Sequence, residues 1–230
     1  MNNDTVICDD TVAELLKTIK SNPRIFSVSS KMIQYNNKQL IDDAGDDYNL
    51  LGWSKKRGNN KSVSKFTEDS EVFSACAGAA LYKMEYFDEI GLFDEMFESY
   101  VEDMDLSFRA RIYGYICYYC ANSVVYHHGS ATTGSRYNPF KVRISARNNL
   151  YLIYKNMPIW MLIINAIFII LGITIKYLFF YKKGYHTYYI EGIKEAIKSR
   201  KKLNKTPIIS NRNLLKIEWL MIKNTFNYIF

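Results

Sequence analysis

Six carboxylates fall between positions 94 and 105 of this chain: Asp94, Glu95, Glu98, Glu102, Asp103 and Asp105. No Lys or Arg stands among them. Like charges this close repel unless water screens them or a positive group sits between them. Such a set can do two kinds of chemistry. An ionised carboxylate near a helix start can act as a general base at neutral pH, and several together can hold a cation. A plainer account competes. If Glu102 lies near a helix start, Asp103 and Asp105 occupy the first turn, where the helix dipole stabilises carboxylates by roughly 0.3–1 kcal/mol. Arg109 follows Asp105 by four residues, the favoured order for an acid–base pair. That account covers Asp105 and Arg109. It leaves open why Glu102 and Asp103 adjoin a further acidic loop.

The other reactive side chains say less. Cys117 and Cys120 are spaced like a metal or redox pair, but no second Cys pair or suitably spaced His pair accompanies them. They lie in an aromatic, strand-like stretch and read as core cysteines. With Cys8 and Cys76 they form no disulfide framework, which points to a reducing compartment. His127, beside His128 at the end of a strand-like stretch, reads on its own as a satisfied strand-end histidine.

The net charge is +7, and it is unevenly spread. Residues 151–230 hold 13 Lys/Arg against 3 Asp/Glu, while residues 1–150 hold 17 against 20. A basic tail alone suits nucleic acid or an anionic membrane. What decides between them is the stretch ahead of it. From Pro158 to Ile175 there is no charged residue, and after Lys176 an aromatic run continues to Tyr181. A spanning helix needs roughly 20 apolar residues. Trp160, Tyr177 and Tyr181 suit the interfacial belts, and the cations from Lys182 onward favour a cytoplasmic C-terminus. The expected partner is therefore a membrane, with no nucleic acid, and a re-entrant or in-plane helix remains an alternative to a span.

Elements must position these groups. Thr11 and Glu14 have capping-box spacing, and Val12, Leu15, Leu16 and Ile19 recur with helical period, so a helix is expected over 11–21. Arg24 to Ile33 reads as a strand, and 54–65 as a mobile polar loop. A strand, a small-residue turn over Ala77–Ala80 and another strand follow. A short helix ends at Gly91, and a longer one runs from about Glu102 to Tyr113. Two strands, "YICYYC" and "VVYHH", precede a helix that begins after Pro139. A basic helix over Tyr188–Lys202 and a final helix close the chain. Strands alternating with helices indicate an α/β class.

The ordered set "GAALYKMEYFDEIGLFDEMFESYVEDMDLSFRARIYGY" and "VVYHHGSAT", Gly78 through Ser130, resembles the back half of family 2 glycosyltransferases of the rhamnosyltransferase-like branch. "RNNL" at Arg147 and the hydrophobic tail extend the likeness. The resemblance implies an incomplete GT-A-like (Rossmann-like) mixed sheet with flanking helices over 1–150. A helical membrane-associated tail would follow over 151–230, its hydrophobic helix at about 158–181. It implies transfer of a sugar from a nucleotide-diphosphate sugar to a hydroxyl of a cell-surface glycan or polyprenyl-linked precursor, with inversion. Asp103 matches the general base, and Glu102 a residue that orients the acceptor or holds the base. Gly78, Ala79 and Ala80 would let backbone approach a sugar closely, and Arg147 would contact phosphate. Asn2-Asn3-Asp4 looks like the family's metal motif, so Asp4 and His127 would hold a divalent cation, Mg or Mn.

The same resemblance places the family's nucleotide-binding strands before Met1. A partner chain supplying that half is one expectation that follows. A non-catalytic module of the same fold, binding an acceptor or a partner chain, is the alternative function. Without the resemblance, the residues read as a tail-anchored acidic domain for a divalent cation. The catalytic part is expected on the cytoplasmic side of the membrane.

Overall fold

A computed structural model describes residues 1–129 and 137–229, so Ser130 lies outside the described residues. The elements are β1 (Thr5–Ile7), α1 (Thr11–Lys20), β2 (Ile25–Gln34), β3 (Asn37–Asp43), β4 (Asp46–Tyr48), β5 (Ser54–Lys56), β6 (Ser70–Val72), β7 (Ala80–Tyr82), α2 (Phe87–Ile90), α3 (Glu102–Ile112), β8 (Ile116–His127), α4 (Pro139–Asn156), α5 (Ile159–Lys182), α6 (His186–Ser199) and α7 (Asn211–Ile229). They divide into two compact units. The first comprises Met1–Asp47, Lys55–Leu92 and the described part of Leu106–Gly134. The second comprises Tyr48–Ser54, Phe93–Asp105 and the described part of Ser135–Phe230. Position 150 falls inside α4.

The first unit is a mixed sheet with flanking helices, the α/β class read from the sequence. β2 and β8 pair in parallel at its centre. Short antiparallel strands complete their outer edges: β1 and β6 on β8, β3 and β7 on β2. A parallel pair needs a crossover, and here that crossover includes α3. Both faces of the central pair are covered, as parallel strands require. Leu15 and Ile19 of α1 pack with Ile25, Val28 and Cys120. Leu106 and Ala110 of α3 pack with Phe26, Cys117 and Tyr119. Cys117 and Cys120 are free, fully buried core residues.

Three local expectations change. Thr11 does not cap its helix. Its buried hydroxyl donates to the Val124 carbonyl at 2.7 Å and accepts from Cys8 N at 3.0 Å, so it ties α1 to β8 instead. The two strands expected within 115–128 are one continuous strand, its pairing with β2 shifted between Ser30 and Lys31. The polar stretch 54–65 is tied down rather than free. Lys56 donates to Asp42 at 3.0 Å and Arg57 to the Ala44 carbonyl at 2.9 Å.

The second unit is helical. Gly192 of α6 lies so close to α4 that a Cβ there would meet the Arg143 carbonyl oxygen at 2.2 Å. On α5, Met161, Asn165, Ile169 and Gly172 form the one buried stripe, at the spacing of a single helix face. Asn165 donates to Glu218 of α7 at 2.9 Å, and Trp53 donates to the Gly172 carbonyl at 3.2 Å. The remaining faces of α5 stay apolar and exposed, with Ile159 at 70% and Ile167 at 78%. By length and composition α5 can cross a membrane.

Candidate functional site

In the first unit, antiparallel pairing of β1 with β8 sets Thr5 opposite His127. That register brings two of the residues singled out in the sequence together. His127 Nε2 lies 3.2 Å from Asp4 Oδ2. The other ring nitrogen, Nδ1, lies 2.8 Å from Asp42 Oδ2. His128 is engaged elsewhere, its ring stacked on Tyr35 with centroids 3.7 Å apart. Asn2 N donates to the Gly78 carbonyl at 2.9 Å, so the small-residue turn lies against the segment that carries Asp4. Ala79 is fully buried, and Ala80 pairs with Ser29 of β2.

Asp42 was not legible as a site residue. It belongs to an acidic, turn-rich stretch far from both partners in sequence, and no spacing rule connects it to His127. Burial alone would push its carboxyl up. The His127 hydrogen bond and Lys56 outweigh that effect and hold it down at about 2. The Asp42 hydrogen bond raises His127, although burial opposes it. Burial likewise opposes the charge on Lys56, but Asp43 and Asp42 more than offset it. In the same unit, Asp43, Asp46 and Cys76 present ligand-type atoms within 4.8 Å of one another.

The donor set fits a divalent cation. Asp4 Oδ1 is buried with no hydrogen-bond partner, so one carboxylate oxygen remains available to an ion. A ligating histidine usually donates its other ring N–H to a carboxylate, which fixes its tautomer. Asp42 stands in that position. Carboxylate oxygen suits Mg or Mn, whereas imidazole is the more usual donor to Zn, Cu, Fe or Ni.

In the second unit, α4 supplies the positive groups that the acidic stretch lacks. Lys155 Nζ lies 2.6 Å from Asp94 Oδ2 and 2.9 Å from Asp105 Oδ2, and Asn156 donates to Asp105 at 2.7 Å. Asp105 is fully buried and Lys155 is 6% exposed. A buried pair of this kind costs several kcal/mol when one partner is removed. Arg147 reaches Glu98 at 2.9 Å, Glu195 at 2.8 Å, and the Met96 and Phe97 carbonyls. Its guanidinium is thus engaged with the acidic loop. Asn148, which sequence reasoning quoted only as part of "RNNL", donates to the carbonyls of Phe97, Ser99 and Tyr100 at 2.6, 2.8 and 2.8 Å.

The loop held this way is strained. Glu98, Tyr100 and Val101 have φ of 58°, 67° and 73°, a region that costs non-glycine residues on the order of 1–3 kcal/mol each. It leads straight into Glu102 and Asp103. Burial, and then the Asp103 charge, push Glu102 up to about 7. Glu102 Oε2 is buried with no hydrogen-bond partner. Glu102 is therefore a weaker acid than an ordinary glutamate. Asp103 Oδ1 accepts from Met104 N at 2.8 Å. An open cavity of about 680 Å³ is lined by Asp94, Glu95, Glu98, Tyr151, Ser199 and Asn204, among others. Asp4, His127 and Gly78 to Ala80 belong to the first unit, and Glu102, Asp103 and Arg147 to the second.

No protein-family model matches the chain, and no curated protein matches it. Among solved structures, it is similar to the crystal structure of GalNAc-T7 with UDP, GalNAc and Mn2+. The identity is 15% and the TM-score 0.47, over 66% of this chain and 30% of that one. The chain thus spans less than a third of that neighbour's length.

Proposed function

We propose that this chain carries the cation-binding and acceptor-side part of a GT-A-like glycosyltransferase. In this reading, sugar passes from a nucleotide-diphosphate donor to a hydroxyl of a cell-surface glycan or lipid-linked precursor, with inversion. The observation that carries the proposal is the Asp4–His127–Asp42 arrangement, assembled from strands far apart in sequence. Asp4 and His127 Nε2 would hold Mg or Mn, and Asp42 keeps the imidazole in the ligating tautomer. When bound, that cation offsets negative charge developing on a departing diphosphate.

Asp103 is the general base that takes the acceptor's proton. Glu102 beside it, raised by burial and by the Asp103 charge, carries a proton more readily than an ordinary glutamate. Arg147 and Asn148 hold the strained loop that presents both, which supports preorganisation of the base. The polar cavity of the same unit, lined by carboxylates and hydroxyls with Arg147 and Lys202 but not by Asp103 itself, suits the hydroxyls of an acceptor glycan. The exposed apolar faces of α5 support membrane association, with the catalytic part on the cytoplasmic side.

The test is nucleoside-diphosphate release by the full chain in detergent with Mn2+, an acceptor glycan and a panel of nucleotide-sugars. Asp103→Asn is expected to abolish acceptor-dependent release while Mn2+ binding persists. Full turnover in that variant removes Asp103 from the role of base. Donor binding without turnover in the unaltered chain favours the non-catalytic module.

A further inference from the structure

α5 interrupts its apolar run with one cation, Lys176. Among the described residues, no carboxylate pairs with it, and its contact is with the face of Trp53, 5.5 Å from the ring centroid. It lines a small cavity of about 80 Å³ in the second unit whose other walls are mainly apolar: Val142, Ile153, Ile173, Phe180 and Ile193 among them. Asn149 also lines this cavity. Its Nδ2 donates to the Ser145 carbonyl at 2.7 Å, but its Oδ1 is buried with no hydrogen-bond partner. One cavity therefore combines an ammonium donor lacking an anion with a carbonyl acceptor lacking a donor. Both are costly to leave so in apolar surroundings. An ionisable group within a membrane helix ordinarily has a partner or a function.

The wall chemistry narrows the occupant. No acidic residue lines the cavity, so its charge calls for an anion. The apolar lining and the exposed hydrocarbon face of α5 call for a ligand that is itself lipid-attached. Lys176 stands six residues, about 9 Å of helix rise, before Lys182, where the basic, Tyr-bearing end of α5 begins. Tyrosines and cations mark the headgroup level of a bilayer. We infer that this cavity receives the headgroup of an anionic phospholipid, its phosphate on Lys176 and a headgroup hydroxyl donating to Asn149 Oδ1. Trp53, whose ring faces the ammonium, lines the same cavity. The size suits a headgroup fragment, with the acyl chains lying along α5. The inference rests on the membrane association proposed above and is independent of sugar transfer.

The test uses the full chain reconstituted in vesicles of dioleoylphosphatidylcholine alone or with one-fifth dioleoylphosphatidylglycerol, followed by gentle detergent extraction and native mass spectrometry of retained lipid. The wild-type chain is expected to retain phosphatidylglycerol over phosphatidylcholine by tenfold or more. Lys176→Met should erase that preference, Asn149→Leu should reduce it severalfold, and Lys182→Met should leave it intact. Equal loss in Lys176→Met and Lys182→Met would mean diffuse surface attraction and would overturn the site. Flotation with both vesicle types but no lipid preference sinks this inference alone. Failure to float with either sinks the membrane reading with it. Circular dichroism of each variant separates a lost site from a lost fold.

Discussion

The amide nitrogen of Asn148 lies 2.8 Å from the carbonyl oxygen of Tyr100, a residue held at φ 67°. The same nitrogen reaches Phe97 and Ser99, so one side chain on a regular helix fixes three carbonyls of an irregular loop. The loop ends at Glu102 and Asp103. Strain in that backbone persists because α4 over-determines it.

Replacing Asn148 by Ala removes the shared donor and is expected to cost about 1–3 kcal/mol, the penalty for buried carbonyls left unsatisfied. Amide exchange over 97–104 should speed up before global unfolding does. Unchanged protection there would mean that the loop holds its shape without the clamp.

Asp42→Asn keeps the size of the side chain but removes the charge that orients His127. Mn2+ affinity, read by electron paramagnetic resonance of free Mn2+, should fall about 10–100-fold, the usual cost of losing such a partner. Asp4→Asn, which alters a ligand itself, should fall further.

Glu102 gives a pH signature. Its folded-state pKa is raised from 4.5 to about 7, so between those values the folded chain binds more protons than the unfolded one. Stability then decreases as pH rises through that window. Glu102→Gln should flatten this decline in denaturant midpoints measured between pH 5 and pH 8. A decline of the same slope in the variant would assign the effect to another group.

Gly78 separates folding from ligand approach. A Cβ there would meet Met32 Cε at 3.4 Å and Asn2 Nδ2 at 3.5 Å, ordinary contacts. Gly78→Ala should therefore change stability by no more than about 0.5 kcal/mol. Calorimetric titration with the nucleotide-sugar that supports transfer should show weakened binding if backbone must approach the sugar there. Full affinity in Gly78→Ala would free this turn from any part in the site.

Local pattern alone determined most element types. The alternation of strands and helices, the uncharged run that became α5, and the glycine stop at Gly91 all follow from short-range periodicity and backbone preference, which act within a few residues. The isolated acidic stretch was equally plain, as was its need for a positive partner. Which partner answered it was a tertiary matter: Lys155 and Arg147 come from α4, some fifty residues on, and nothing in spacing pairs them. Asp42 beside His127, the diversion of the Thr11 hydroxyl to Val124, and the choice of His127 over His128 likewise depend on strand register. Register is set by the packing of whole faces, and a one-residue slip would turn every side chain over.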